Sequence, residues 1–386
     1  MPRFRLKDFV SKTVFKASLF LVALLLFSTC GTRDTSWVMK VENVRIQTDE
    51  FLKWFKWSQE YKNADSFTPE DLRAFAERKF GPELLFAAEG YRLGIDKKPS
   101  VQYAIHQREI EIIGDENGPL FLRVVPQTLV VTDQEVEAYI KKSDQLANVK
   151  ITDAVKDSIR TLLMQAKKGK YIKQYAAGLF PKYHFRVIPA GADLLIKLTT
   201  LSRKEARELA RRQDPRQVLL LTFADARLTV NDVLMSFPED FRSRRKKFHS
   251  LEQVREYLME KFLPELMFLD ARDRGLFDLP QVKAAFEKSK RRIISAECEK
   301  ALTVRNIKVT QQEVEQRYQQ DMEKYKNMPP KRAKYDIRIL LHAEKRNQKY
   351  RQTREELEKK YKIIYNNAAF KYLARELNRE KQSATT

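Results

Sequence analysis

Few residues in this chain are equipped for covalent or metal chemistry. Two cysteines, Cys30 and Cys298, and four histidines, His106, His184, His249 and His342, are spread over 386 residues. Two thiols build no disulfide framework, and histidines this far apart give no metal-ligand spacing and imply no cofactor. Ten glycines in the whole chain argue against glycine-loop nucleotide folds. The residues with binding chemistry are aromatic: Phe51, Trp54, Phe55, Trp57 and Tyr61 crowd one short stretch. Such rings offer large, rigid apolar contact to partners of varied sequence. Phe51 and Phe55, at i and i+4, are expected to face a core. Trp54 and Trp57, at i and i+3, form a second stripe, and together with Tyr61 they are the candidate client contacts.

Cys30 draws its meaning from what precedes it. Arg3, Arg5, Lys7, Lys12 and Lys16 stand against the single acid Asp8, and an uncharged apolar run covers 17–27. A basic start, a short apolar core and small residues are the marks of an export signal, expected here over 1–29. The run is shorter than the roughly 20 residues that span a bilayer. Cys30 just after it resembles the lipobox cysteine of bacterial lipoproteins, with Phe27 where that family prefers Leu and Thr29 where it prefers Gly or Ala. The resemblance implies a lipidated Cys30 and a periplasmic protein anchored to the outer membrane, with the inner membrane as the alternative. Cys298, in a helical stretch, is expected to be buried and inert.

Composition sets the class. Hydrophobic residues make up 43% and charged residues 33%, so the chain is neither a disordered tail nor a polytopic membrane protein. Abundant Lys, Glu, Leu, Ala and Arg predict a mainly α fold. The formal net charge is +22. Basic clusters at 242–247, 288–292 and 331–334 would suggest nucleic acid in a cytosolic protein. In an exported one they fit anionic lipid and acidic unfolded chains, so no nucleic acid is expected.

The elements that must position the aromatic row come in two copies. Residues 45–52 match 227–234 at an offset of 182, and 79–86 match 261–268 with six of eight positions identical. Pro99 faces Pro280 at 181, and 132–137 match 310–315 at 178. Each copy reads as a short extended segment, a polar turn into a helix at Asp49 or Asn231, and a charged helix at 69–80 or 251–262. Pro82 and Pro264 then suit a new first turn, Gly94 and Gly275 its stop, and Pro99 and Pro280 the next start. Thr132 with Glu135, and Thr310 with Glu313, read as capping boxes. A long helix is expected from Thr152 to about Leu179, with Val155, Ile159 and Leu162 on its apolar stripe, followed by a strand at 183–187. A second strand is expected at 335–341. Whether the copies pair within one chain or exchange elements in a homodimer is left open by periodicity.

Val38, Lys40, Val41, Ile46, Glu50 and Phe51, then Gly94, Asp96 and Pro99, then 131–139, resemble the chaperone domain of SurA-like and PpiC/PpiD-like periplasmic foldases. The resemblance covers most of 36–190 and 218–380. It implies a signal at 1–29, a first SurA-like module at 36–190, a connector at 191–217, a second module at 218–330, and a partial parvulin-like α/β segment with a tail at 331–386. It implies a periplasmic chaperone that binds unfolded or outer-membrane-bound polypeptides. Parvulins place a histidine where this chain has Arg338, His342 comes four residues later, and the remaining strands have no counterpart, so no catalytic residue is assigned. The alternatives are a divergent prolyl isomerase and a scaffold in an envelope assembly complex.

Overall fold

The computed structural model describes residues 34–385 apart from 116–117, 127, 144–145, 147–148, 237–246 and 306. Cys30 and the expected signal lie outside the described residues, as does most of the 242–247 cluster. In chain order the elements are β1 (Trp37–Val41), β2 (Val44–Gln47), α1 (Thr48–Lys56), α2 (Gln59–Asn63), α3 (Pro69–Arg92), α4 (Pro99–Gly114), α5 (Pro119–Val124), α6 (Asp133–Lys142) and α7 (Asp153–Lys182). There follow β3 (Arg186–Val187), α8 (Pro189–Thr200), α9 (Arg203–Arg212), β4 (Leu219–Phe223), β5 (Ala226–Thr229), α10 (Val230–Met235) and α11 (Leu251–Asp273). The chain ends with α12 (Pro280–Thr303), α13 (Gln311–Gln320), α14 (Pro330–Lys360), β6 (Ile364–Tyr365) and α15 (Asn367–Thr385). The fold is mainly helical with two small antiparallel sheets. No helix of the described residues is long and apolar enough to cross a membrane.

The local signals act as their chemistry requires. Thr132 accepts from the Glu135 amide while the Glu135 carboxylate accepts from the Thr132 amide, and Thr310 and Glu313 repeat the pattern. Gly94 and Gly275 sit at φ of +65° and +70°, the left-handed region that side chains disfavour. Pro82 and Pro264 depart from expectation. They lie inside α3 and α11, which run on unbroken, because Phe80, Leu84 and Leu85, like Leu258, Leu266 and Met267, are buried on both sides of the lost amide.

The chain folds into two compact units, one holding the residues up to Val101 with Arg291–Thr386, the other Gln102–Lys290. These are not the two sequence copies. In the first unit the hairpin β1–β2 takes its third strand, β6, from the far end of the second copy, with Met39 opposite Tyr365 and Lys40 opposite Ile364. In the second unit the hairpin β4–β5 takes β3 from the end of the first copy, with Thr222 opposite Arg186 and Leu221 opposite Val187. Each copy thus completes the other's sheet. The resulting cores are aromatic in the first unit, with Phe51, Phe55, Phe75, Phe80 and Phe370 in ring contact, and more aliphatic in the second, around Leu194, Leu195, Leu220, Leu221, Leu258 and Leu266.

Two expectations are overturned here. Residues 335–341 are helix, within α14: Ala333, Ile337 and Leu341 stand four apart and pack with Val314, and that stripe wins over the alternation that suggests a strand. With α14, β6 and α15 the segment 331–386 is no partial parvulin-like fold. It repeats α7, β3 and α8, and it closes the first unit. Nor is 191–217 a connector, because Leu194, Leu195 and Leu198 of α8 are buried in the core of the second unit. Gly191 lets α8 approach β4, for a Cβ there would stand 2.3 Å from the Leu219 carbonyl oxygen.

Candidate functional site

Helix α1 places the aromatic row, and the structure divides it. Phe51 and Phe55 are buried, stacked on each other and edge-on to Phe75. The Trp54 ring lies against the Lys79 ammonium, 3.9 Å from the ring centre, with the Arg292 guanidinium at 5.6 Å. Its buried indole nitrogen has no hydrogen-bond partner among the described residues. Tyr61, on α2, stacks on Phe67 and meets Phe55 edge-on, and burial raises its hydroxyl pKa. Only Trp57, which caps α1 at its C-terminus, stands out, with 76% of its surface exposed. Of the three sequence candidates, then, Trp54 and Tyr61 have neighbours of their own and Trp57 faces solvent.

Beneath α1 lies a buried ion network. The Arg291 guanidinium donates to Glu50 at 2.6 Å, to Glu83 at 2.6 Å and to the Arg45 carbonyl at 2.9 Å. Burial opposes the charge on Arg291, but the Glu50 and Glu83 carboxylates outweigh it and hold the guanidinium above its ordinary range. The three groups satisfy one another, which is how a buried charge is tolerated.

Each unit also has an acid cluster of one shared design. In the first, Glu89 of α3 accepts from Arg92 at 2.7 Å, from Lys360 at 2.6 Å and from the Tyr361 hydroxyl at 2.7 Å. Arg92 above all, helped by Lys360 and Tyr361 and opposed by burial, holds its carboxyl down at about 2. In the second, Asp270 of α11 accepts from Lys182 at 2.5 Å, Arg274 at 2.5 Å and the Tyr175 hydroxyl at 2.6 Å. Burial pushes the Asp270 carboxyl up, and these three partners bring it net below the usual carboxylate range. Both clusters tie the C-terminal end of a long helix from one copy to a core helix of the other. They are structural latches, in which every charged group is engaged.

An apolar concavity lies elsewhere, in the second unit, apart from a more polar one of about 440 Å³ in the first unit between Leu302 and Gln352. Helices α6 and α7 form a hairpin, and Val136 and Ile159 are buried between them. Toward its tip opens a cleft of about 380 Å³ lined by Tyr139, Leu146, Val155, Ile159 and Leu162, with Ser143, Ala154 and Ser158 at its edge. Leu162 remains 48% exposed. In the first unit the corresponding hairpin is α13 with α14. There Tyr325, from the short 3-10 turn Met322–Tyr325, is buried against Val314, Ala333 and Ile337, and Met328 and Leu341 pack around them. One hairpin tip is filled by its own chain, and the other is open.

Sequence reasoning placed Val155, Ile159 and Leu162 on an apolar stripe but not in a cleft. The signal available was Tyr325, which has no aromatic counterpart in the first copy. The histidines do not converge. His106 contacts Glu265 at 3.0 Å, with its ring edge-on to Phe268, and His342 lies exposed on α14. Among the described residues no three His, Cys, Asp or Glu side chains are grouped to hold a metal ion. Cys298 is buried, and burial pushes its thiol up to about 12, away from the reactive thiolate. No family model, curated protein or solved structure matches the chain.

Proposed function

We propose that this protein is a chaperone that binds extended or unfolded polypeptide without catalysing a reaction, and that it works in the periplasm, held to the outer membrane by a lipid on Cys30. The observation that carries this reading is the open apolar cleft on the α6–α7 hairpin, set against the filled counterpart in the other unit. A cleft of about 380 Å³ takes one or two large apolar side chains of an extended segment. Its lining of Leu, Ile, Val and Tyr binds by burial and sets no sequence code, which suits varied clients. Exposed Trp57 offers a separate apolar contact on the first unit. The likeness to SurA-like modules in 38–51, 94–99 and 131–139 supports the same reading, with twin modules that each complete the other's sheet.

Suppression of aggregation of a denatured outer-membrane protein by the full chain tests this. Leu162→Asp should cut the holding capacity several-fold while the circular dichroism spectrum stays unchanged. Trp57→Ala should cut it less. A folded Leu162→Asp protein with full holding capacity would rule the cleft out. Catalysis of tetrapeptide isomerisation above background would replace the non-catalytic reading with the isomerase alternative.

A further inference from the structure

Helix α9 carries a feature that client holding does not use. Ser202 caps it, accepting from the Glu205 amide at 3.3 Å, while the Glu205 carboxylate accepts from the Ser202 amide at 3.0 Å. The box fixes the first turn and occupies one of the two acids of the helix. Ala206 is buried, and Leu209 and Ala210 pack beside it against the core of the second unit. That docking sets the rotation of the helix. At 100° per residue, Lys204, Arg207, Arg211 and Arg212 fall on the half turned away from Ala206, Leu209 and Ala210, with Arg203 at the flank beside Ala210. All five are exposed, and none is ion-paired among the described residues. Glu208 is the only acid standing among them, and it too is exposed.

We propose that this face of α9 is a docking surface for anionic lipid headgroups. Four cations on a convex strip about 15 Å long match a plane of phosphates, each contributing to attraction toward a negative bilayer. The helix has no aromatic residue to stack a nucleic-acid base, and its cations stand on the outside of a single helix. An interfacial amphipathic helix would sink its apolar side into the membrane, but here that side is already spent on the protein core. The contact is therefore electrostatic and peripheral, and salt weakens it. It does not depend on the chaperone reading, because vesicle binding is read with no client present.

The test is co-sedimentation of the full chain with phosphatidylcholine vesicles, with and without phosphatidylglycerol, read as the ratio of anionic to neutral binding so that any lipid anchor cancels. The ratio should be well above one and should fall as salt is raised. Replacing Lys204, Arg207 and Arg211 together by Gln should lower it by roughly fivefold per cation removed. The matched control on α14, Arg346→Gln, Lys349→Gln and Arg351→Gln, should leave it within about twofold, the size of a bulk charge effect. A ratio near one, an equal loss in the control, or tighter α9-dependent binding to duplex DNA at matched phosphate concentration would each overturn the proposal.

Discussion

In the first unit Glu89 is held by Arg92, Lys360 and Tyr361, and in the second Asp270 is held by Arg274, Lys182 and Tyr175. The latch is the same, built each time from a core-helix acid of one copy and the end of the other copy's long helix. The hairpin tips are not the same. Tyr325 fills the one on the first unit, while the one on the second leaves Leu162 and its neighbours lining open space. Duplication explains both facts. The groups that hold exchanged elements together must be retained in both copies, because losing either latch loosens a unit. A hairpin tip carries no such duty, so one copy can close it for stability while the other keeps it for binding.

The largest expected effect breaks the first unit alone. Arg291→Met takes the buried guanidinium from Glu50 and half-buried Glu83, leaves them only the outlying Arg292 at 3.3 and 3.6 Å, and should cost about 3 kcal/mol, the low end for a broken buried pair. Trp37, Trp54 and Trp57 all belong to the first unit, so tryptophan fluorescence in a denaturant titration reads it directly. A loss under about 1 kcal/mol, the range of a surface pair, would mean that the network carries little.

A smaller effect is confined to the second unit. The Cβ of Gly191→Ala would press on the Leu219 backbone, whereas the first unit already holds Ala369 at the matching place on α15. The substitution should cost about 1–3 kcal/mol. It should appear as faster hydrogen exchange over 189–200 and 219–223. Unchanged exchange there would show that α8 can lift from β4 at little cost.

The latches make acid a third probe. The Glu89 carboxyl sits at about 2 in the folded protein against an ordinary value of 4.5, so the folded state binds fewer protons than the unfolded one. Its stabilisation is fully present above about pH 4.5 and drains away as the pH falls toward 2. Glu89→Gln should lower stability at pH 7 and flatten that acid limb in the tryptophan signal. An acid limb identical to that of the parent protein would place the proton uptake elsewhere. The smallest stability change belongs to Leu162→Asp, within about 0.5 kcal/mol for an exposed site, and this is why its effect on client holding can be read cleanly.

Much of the local structure was legible because it is written in single residues. Thr132 and Glu135 announce their helix, Gly94 and Gly275 end theirs, and the drift of the repeat from 182 to 178 marks where loops differ in length. The exchange between copies was not legible, since a hydrophobic stripe says that a helix needs a partner and not which copy supplies it. Residues 335–341 misled for a related reason. Tyr335, Ile337, Ile339 and Leu341 alternate like a strand, while Ala333, Ile337 and Leu341 repeat like a helix, and the choice is made by Val314 across the hairpin. Of the aromatic row, the core role of Phe51 and Phe55 follows from spacing alone. The fate of Trp54 depends on Lys79 and Arg292, which lie far off in sequence.

Site-specific photocrosslinking tests the contrast between the two hairpins most directly. A photoreactive residue would replace Leu162 in one protein and Leu340, its counterpart 178 residues on, in another, each in the full chain with the same denatured client. The open-cleft account predicts strong client adducts from position 162 and weak ones from position 340. Equal adducts from both, or none from 162, would contradict it.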